Sequence, residues 1–289
     1  MPELPEVESI RLGLLKVIVG QKILNIKIKN EKMVSSHSNI RKANKIKTES
    51  FIKNLIDKKI INIARRAKNL IIQIEDGGII LIHLKMTGQL IYTPPLDLLS
   101  KGEEEKHTHI IFTLEKGALI YNDIRQFGYV LYYKNKDEML SNNHFYKIGI
   151  EPFDGEFTLE YFKNKLNIKS SKSLKTIFLS QEIVVGVGNI YADEICFASH
   201  ILPQRLSGTL TSDEIKLLYK QIKKILKSAI DSGGSSISDY KLVNGESGNY
   251  QNMHKVYNRA GKECYTCKSL LNKTIIAGRS TVYCKMCQK

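Results

Sequence analysis

Four of the five cysteines crowd into the last 26 residues, Cys264 with Cys267 and Cys284 with Cys287, two Cys-x2-Cys pairs with 16 residues between them. Two such knuckles bring four thiolates to the corners of a tetrahedron, each about 2.3 Å from a zinc ion, which leaves no position for water or substrate. One structural Zn2+ is therefore expected. A reducing compartment disfavours disulfides, and a redox Cys-x-x-Cys would not be doubled. Cys196, in an apolar helical context, is expected to be a buried small hydrophobe.

The other end of the chain offers a different chemistry, in Pro2-Glu3-Leu4-Pro5-Glu6. An initiator Met before Pro is commonly removed, which would expose a secondary amine at the start of a helix. Since a free α-amine has a pKa of about 7.7 to 8.0, a useful fraction is neutral near physiological pH. Such an amine can attack the anomeric carbon of a deoxyribose, expel the base and leave a cationic iminium that acts as an electron sink. Glu3 could then donate a proton to the sugar ring oxygen, and Glu6 could position substrate or shuttle protons. The same acids also suit plain helix capping.

Elements must hold these ends in place. From Leu4 to Val19, the residues Val7, Ile10, Leu14, Leu15 and Ile18 share one helical face. Strand-like runs follow at Leu24–Lys29, Leu70–Glu75, Ile79–Lys85, His109–Leu114, Ala118–Asn122 and Tyr129–Tyr133, parted by turn signals such as Asp76-Gly77-Gly78. The expected fold is α+β. A β-sandwich with an N-terminal helix spans 1–134, a linker 135–157, a helical domain 158–258 and a zinc-bearing β-hairpin 259–289. In the helical part Thr211 and Glu214 form a capping box, ahead of a face of Ile215, Leu218, Ile222, Ile225, Leu226 and Ala229. Residues 244–252 read as a mobile loop.

With 44 Lys+Arg against 29 Asp+Glu, the chain carries a formal charge of +15, which points to an anionic partner, nucleic acid ahead of membrane. Only 8 of the 44 are Arg, so a codon bias toward Lys explains the excess equally well. No run approaches the roughly 18 apolar residues of a membrane helix, and the acidic start is unlike a signal peptide, so a cytoplasmic protein is expected. Gly186 and Gly188 permit a tight turn with amides near a phosphate, to which Asn189 could add its own. Arg279, between the knuckles, could grip a phosphate with both arms of its guanidinium. Singly, each has a structural reading: a packing turn, an exposed arginine, a solvated Lys68, core positions for Met86 and Phe127.

Taken together, these segments resemble the formamidopyrimidine-DNA glycosylase family in order along the whole chain. The motifs are Pro2-Glu3-Leu4-Pro5-Glu6-Val7-Glu8, Ala64-Arg65-Arg66-Ala67-Lys68, His83-Leu84-Lys85-Met86-Thr87-Gly88, Val184-Val185-Gly186-Val187-Gly188-Asn189-Ile190-Tyr191 and Gly278-Arg279-Ser280-Thr281-Val282-Tyr283-Cys284. The resemblance implies a helix-two-turn-helix domain and a zinc finger, and a bifunctional DNA glycosylase and AP lyase that excises 8-oxoguanine and formamidopyrimidines from double-stranded DNA. It implies Pro2 as nucleophile, with Glu3, Glu6, Lys68 and Arg279 in the catalytic site. His107, Arg125, Lys175, Asn189 and Arg279 are implied at the DNA, and Met86, Arg125 and Phe127 as fillers of the void left by a flipped base. No nucleotide or organic cofactor is implied, and the enzyme should be a monomer. Asp123-Ile124-Arg125-Gln126-Phe127-Gly128 departs from the family's Asp-Pro-Arg-Arg-Phe-Gly at two positions, and Ser238 stands where relatives often carry a basic residue. The rival readings are an endonuclease VIII-like enzyme for oxidised pyrimidines, which typically starts Pro-Glu-Gly-Pro, and a non-catalytic zinc-ribbon DNA-binding protein.

Overall fold

Apolar side chains recur along the N-terminal helix α1 (Leu4–Val17) so that Val7, Ile10 and Leu14 are wholly buried while Leu12 stays 40% exposed. The computed structural model describes residues 1–38, 40–95, 106–141, 145 and 148–289. Beyond α1 come β1 (Ile23–Ile28), α2 (Lys32–Ser35), α3 (Lys45–Leu55), β2 (Ile60–Arg66), β3 (Asn69–Ile74), β4 (Ile79–His83), β5 (Gly88–Thr93), β6 (Thr108–Leu114), β7 (Gly117–Asp123), β8 (Tyr129–Tyr133) and α4 (Lys136–Leu140). The strands make two four-stranded antiparallel sheets, in the orders β1-β6-β7-β5 and β2-β3-β4-β8. Ile26, Ile110 and Phe112 of one sheet share a core with Ile63, Ile72 and Ile80 of the other, which is the expected sandwich.

The strands β2 and β5 and the short helices α2, α3 and α4 are not legible in the sequence. In β2 a register shift between Ile60 and Asn62 breaks the alternation, and α3 buries only Thr48, Phe51 and Leu55. α3 is begun by Asn44, whose side chain accepts the Lys47 N–H.

The remainder is helical: α5 (Leu159–Ile168), α6 (Leu174–Ser180), α7 (Asn189–Ala198) and α8 (Ser212–Asp231), followed by the hairpin β9 (Asn272–Ile276) and β10 (Arg279–Tyr283). The capping box is present, with the Glu214 N–H donating to Thr211 Oγ1 at 3.3 Å and the Thr211 N–H to Glu214 Oε2 at 2.7 Å. α8 buries Ile215, Leu218, Ile222, Leu226 and Ala229 against Phe157, Phe178 and Tyr191. Phe197, Val256, Leu271 and Val282 form a small core beside Cys264 and Cys284. No helix among the described residues is long and apolar enough to cross a membrane.

By spatial grouping, one unit holds Met1–Pro2, Glu6–Tyr146 and Gly233–Asn249, and the other Glu3–Pro5, Lys147–Ser232 and Tyr250–Lys289. Residues 233–249, assigned from sequence to the helical domain, thus group with the sandwich, because Tyr240 and Val243 pack into its core. The expected linker contains α4, and Ile150 bridges Val184 in parallel pairing. The segment read as a mobile loop ends in a 3-10 turn, Tyr250–Met253, whose Tyr250 is buried on Tyr191. Cys196 is buried as expected, and burial pushes its thiol pKa up.

His254 lies between the rings of Tyr250 and Tyr257, 5.6 and 5.5 Å away, and burial lowers its pKa to about 4. From about pH 6.5 down to 4 the unfolded chain takes up a proton here that the folded chain refuses, so stability should fall with pH across that window, by up to about 3 kcal/mol. Urea unfolding at pH 7.5 and pH 5 checks this. His254→Asn should flatten the difference.

Candidate active site

The carboxylate of Glu3 is the most tightly held group near the chain start. It is 2% exposed and accepts the N–H groups of Gly188 at 2.6 Å, Ile190 at 2.8 Å and Tyr191 at 3.3 Å. These are unsatisfied amides at the N-terminus of α7, where the helix dipole favours an anion. The Leu4 N–H adds a bond to the Gly186 carbonyl at 2.9 Å. Both glycines of this turn are required by space: a Cβ on Gly186, at φ +87°, would lie 2.4 Å from Leu4 Cβ, and one on Gly188 would lie 2.5 Å from Glu3 Cδ. The Gly-x-Gly turn therefore closes on an acidic side chain rather than only awaiting a phosphate. Asn189 begins α7, and its Oδ1 is buried without a hydrogen-bond partner among the described residues.

Pro2 is buried, while Met1 is 50% exposed. With Met1 in place the Pro2 nitrogen is an amide, so nucleophilic character depends on removal of that residue. Glu6, 1% exposed, accepts the Ser235 N–H at 2.8 Å, and the Tyr240 hydroxyl donates to the Glu6 carbonyl at 3.3 Å. Burial, reinforced by Glu6, pushes the Tyr240 phenol pKa up. Ser238, in the same segment, is exposed.

Lys68 occupies the two-residue turn between β2 and β3 and is 8% exposed. The turn is braced by Arg65, which donates to the Ala67 carbonyl at 2.9 Å and to Glu8 at 2.9 Å. Glu8 also bonds Arg11; burial raises its pKa, but the two guanidiniums outweigh burial and hold it below the ordinary value.

Met86, Arg125 and Phe127 come together on the surface. Arg125 Nη1 lies 3.0 Å from Met86 Sδ, and its guanidinium carbon 4.6 Å from the Phe127 ring centroid. Met86 and Phe127 are 41% and 48% exposed, so the cluster presents two large apolar side chains around one guanidinium. Beneath them is Asp123, wholly buried, accepting the Gly128 N–H at 2.7 Å and the Thr87 hydroxyl. His107 accepts the Asp123 N–H with its carbonyl, and the buried ring of His109 bonds the Asp123 carbonyl at 2.8 Å, so His109 acts within the sandwich.

Arg279 is exposed at the start of β10, after the turn Ala277-Gly278, both of whose residues have positive φ. Lys175, expected at a DNA phosphate, is placed otherwise. Its ammonium is wholly buried, paired with Asp193 at 2.6 Å and donating to the Ser280 carbonyl at 3.1 Å. Asp193 also accepts the Val282 N–H at 3.0 Å, so this pair ties α7 to the strand bearing Arg279. Burial pushes the Asp193 carboxyl up to about 7. Asp193 escaped notice in the sequence because its partners are 18 and 89 residues away.

The Sγ atoms of Cys264, Cys267, Cys284 and Cys287 all lie within 4.8 Å of one another, with Cys267 and Cys284 at 3.4 Å and Cys264 and Cys287 at 3.9 Å. Sulfurs about 2.3 Å from a tetrahedral zinc would be about 3.8 Å apart, so the four can hold a metal ion.

Residues 1–130 match the family model described as the formamidopyrimidine-DNA glycosylase N-terminal domain, and residues 148–241 match the formamidopyrimidine-DNA glycosylase H2TH domain. The formamidopyrimidine-DNA glycosylase of Carboxydothermus hydrogenoformans is 39% identical over 290 residues, covering 100% of both chains. Lactococcus lactis Fpg in complex with an N7-benzyl-Fapy-dG containing DNA is similar with a TM-score of 0.87 and 37% identity over 100% of each chain. The complex of the same enzyme with an abasic site containing DNA gives a TM-score of 0.87 and 37% identity over 99% of each chain.

Gly188→Ala should destabilise the chain by about 1–3 kcal/mol, because the new methyl and the Glu3 carboxylate claim the same space. Paired with Glu3→Ala, it should cost clearly less than the sum of the single changes in urea unfolding. Additive costs would show that the two positions are not coupled.

Proposed function

The chain belongs to the formamidopyrimidine-DNA glycosylase family, DNA glycosylases of base excision repair, and from that premise we propose that it excises 8-oxoguanine and formamidopyrimidines and then cleaves the abasic strand. Once Met1 is removed, the Pro2 amine attacks C1′ of the damaged nucleotide as the bond from C1′ to the base breaks, and the base leaves with a proton. Glu3 serves the sugar ring oxygen as proton donor, and ring opening leaves a cationic iminium between Pro2 and C1′. Loss of a C2′ proton into that electron sink expels the 3′ phosphate, and a second elimination expels the 5′ phosphate, leaving phosphate at both ends of the gap.

The observation that carries this reading is the immobilised carboxylate of Glu3, one residue along the chain from Pro2 and held by three backbone amides. The glycine turn is fitted to this acid, since a Cβ on Gly188 would lie 2.5 Å from Glu3 Cδ. Glu6 and Lys68 complete the catalytic group, and the clustering of Met86, Arg125 and Phe127 supports their role as fillers of the emptied stack. His107, Asn189 and Arg279 serve the DNA backbone, whereas Lys175 acts on it indirectly, through the Asp193 pair that holds the hairpin. The chain works as a cytoplasmic monomer.

Borohydride should trap the protein on an 8-oxoguanine duplex through residue 2, located by peptide mapping. Attachment through Lys68 would overturn the nucleophile. In the same assay 8-oxoguanine opposite cytosine should be excised faster than thymine glycol opposite adenine. The reverse order would favour the endonuclease VIII-like reading, and absence of any adduct the non-catalytic one.

The metal at the four cysteines is zinc, and its role is structural: it braces the hairpin that presents Arg279. One equivalent should be found by elemental analysis. Cys264→Ser should weaken DNA binding far more than it weakens folding of the sandwich, since a metal of this kind contributes directly to the folding of a small module. Normal DNA affinity in that variant would contradict the role.

A further inference from the structure

Phe127 stands in the five-residue link, 124–128, between β7 and β8. A side chain that enters a base stack needs a link that keeps its shape under load, because misplacement by an ångström is costly. This link lacks an obvious stiffener of its own. Residue 124 is Ile, where the family pattern has Pro, and residue 126 is Gln, where it has Arg. Gln126 also sits at φ +56°, a conformation unfavourable for a side chain of this kind.

The stiffness comes from elsewhere in the sandwich. Arg41, 85 residues ahead of Gln126 in sequence, donates from Nη2 to the Gln126 carbonyl and from Nη1 to the Gly128 carbonyl. One planar group therefore grips the two carbonyls flanking Phe127. Asn30 adds a bond from Nδ2 to Gln126 Oε1 at 3.1 Å. From below, Asp123 holds the Gly128 N–H, and the Arg125 N–H donates to Thr87 Oγ1 at 2.9 Å. Gly128 has no room to slide, since a Cβ there would lie 1.9 Å from the Tyr121 hydroxyl. The charge of Arg41 is felt across this patch: burial first, and Arg41 second, lower the pKa of Lys85, whose ammonium lies over the Tyr129 ring.

We propose that Arg41, assisted by Asn30, is the positioning residue of the wedge, clamping the link so that Phe127 is presented in one shape despite the missing proline. The inference rests on the reading of Phe127 as a void filler. Arg41 takes no part in the elimination chemistry, so its effect should be confined to steps that need a base extruded. A guanidinium suits the task because its fixed fork spans two acceptors, which a lysine ammonium does not reproduce.

Single-turnover excision of 8-oxoguanine from a duplex, and cleavage of a preformed abasic site, separate these steps. Arg41→Ala should slow excision about tenfold or more and abasic-site cleavage by no more than about twofold. Arg41→Lys, which keeps the charge and most of the volume, should show the same split, and it carries the test if the alanine variant fails to fold. Adding Ile124→Pro should restore most of the loss: Ile124 donates no backbone hydrogen bond among the described residues, so proline removes none, and the family pattern has Pro at this position. An equal loss on both substrates would overturn the proposal, and so would a failure of Ile124→Pro to rescue. Normal excision by both Arg41 variants beside an impaired Phe127→Ala would overturn it alone. Normal excision by Phe127→Ala would overturn the wedge reading and this inference with it.

Discussion

The three amide hydrogen bonds that α7 directs at Glu3 are the constraint on which the catalytic assignment depends. An isolated carboxylate is costly to bury, and only convergent donors make burial tolerable. Here the donors are backbone groups that a helix start leaves unpaired, so the helix and the acid each satisfy the other's need. The glycine turn before α7 allows the approach, and the Leu4–Gly186 bond fixes the direction in which the chain enters.

The same device recurs. Glu6 holds the Ser235 amide, Asp123 the Gly128 amide, Asp193 the Val282 amide, and Glu194 three successive amides, of Lys255, Val256 and Tyr257, at the approach to the cysteine module. Glu6, Asp123 and Glu194 each pin an irregular segment that has no ladder of its own, whereas Asp193 holds the free edge of β10. These acids are thereby withdrawn from the surface. Among the described residues Glu3, Glu6, Asp123, Glu151, Asp193 and Glu194 are buried against only Lys68 and Lys175, so burial removes more acid than base from their surface. For a protein whose ligand is a polyanion, structural acids and binding bases do not compete for the same surface.

Much of this was legible in the sequence because its causes are local. The Thr211 capping box, the apolar face of α8 and each Cys-x2-Cys pair involve residues a few positions apart, and all appear where the pattern puts them. What was illegible depends on long separations. Nothing near Lys175 announces Asp193 or the Ser280 carbonyl 105 residues away, so a residue that looks like a surface cation is buried. Arg41 lies in a polar stretch with no period, and its partners are carbonyls, which have no residue type to read. β2 was hidden by a bulge rather than by distance, since an extra residue reverses the alternation on which strand reading relies.

The separation between Glu3 and its donors also orders events during synthesis. The amides that hold this carboxylate lie 185 to 188 residues downstream. At about 5–20 residues per second, a ribosome needs roughly ten to forty seconds to produce them after Glu3 has been made. Throughout that interval the acid has no burial site, although the strands of the sandwich are already emerging. A polypeptide released early could therefore collapse around most of its sandwich core and still lack a seat for the acid beside Pro2. Seating of the Glu3 carboxylate is thereby coupled to synthesis of the first two thirds of the chain, through Tyr191.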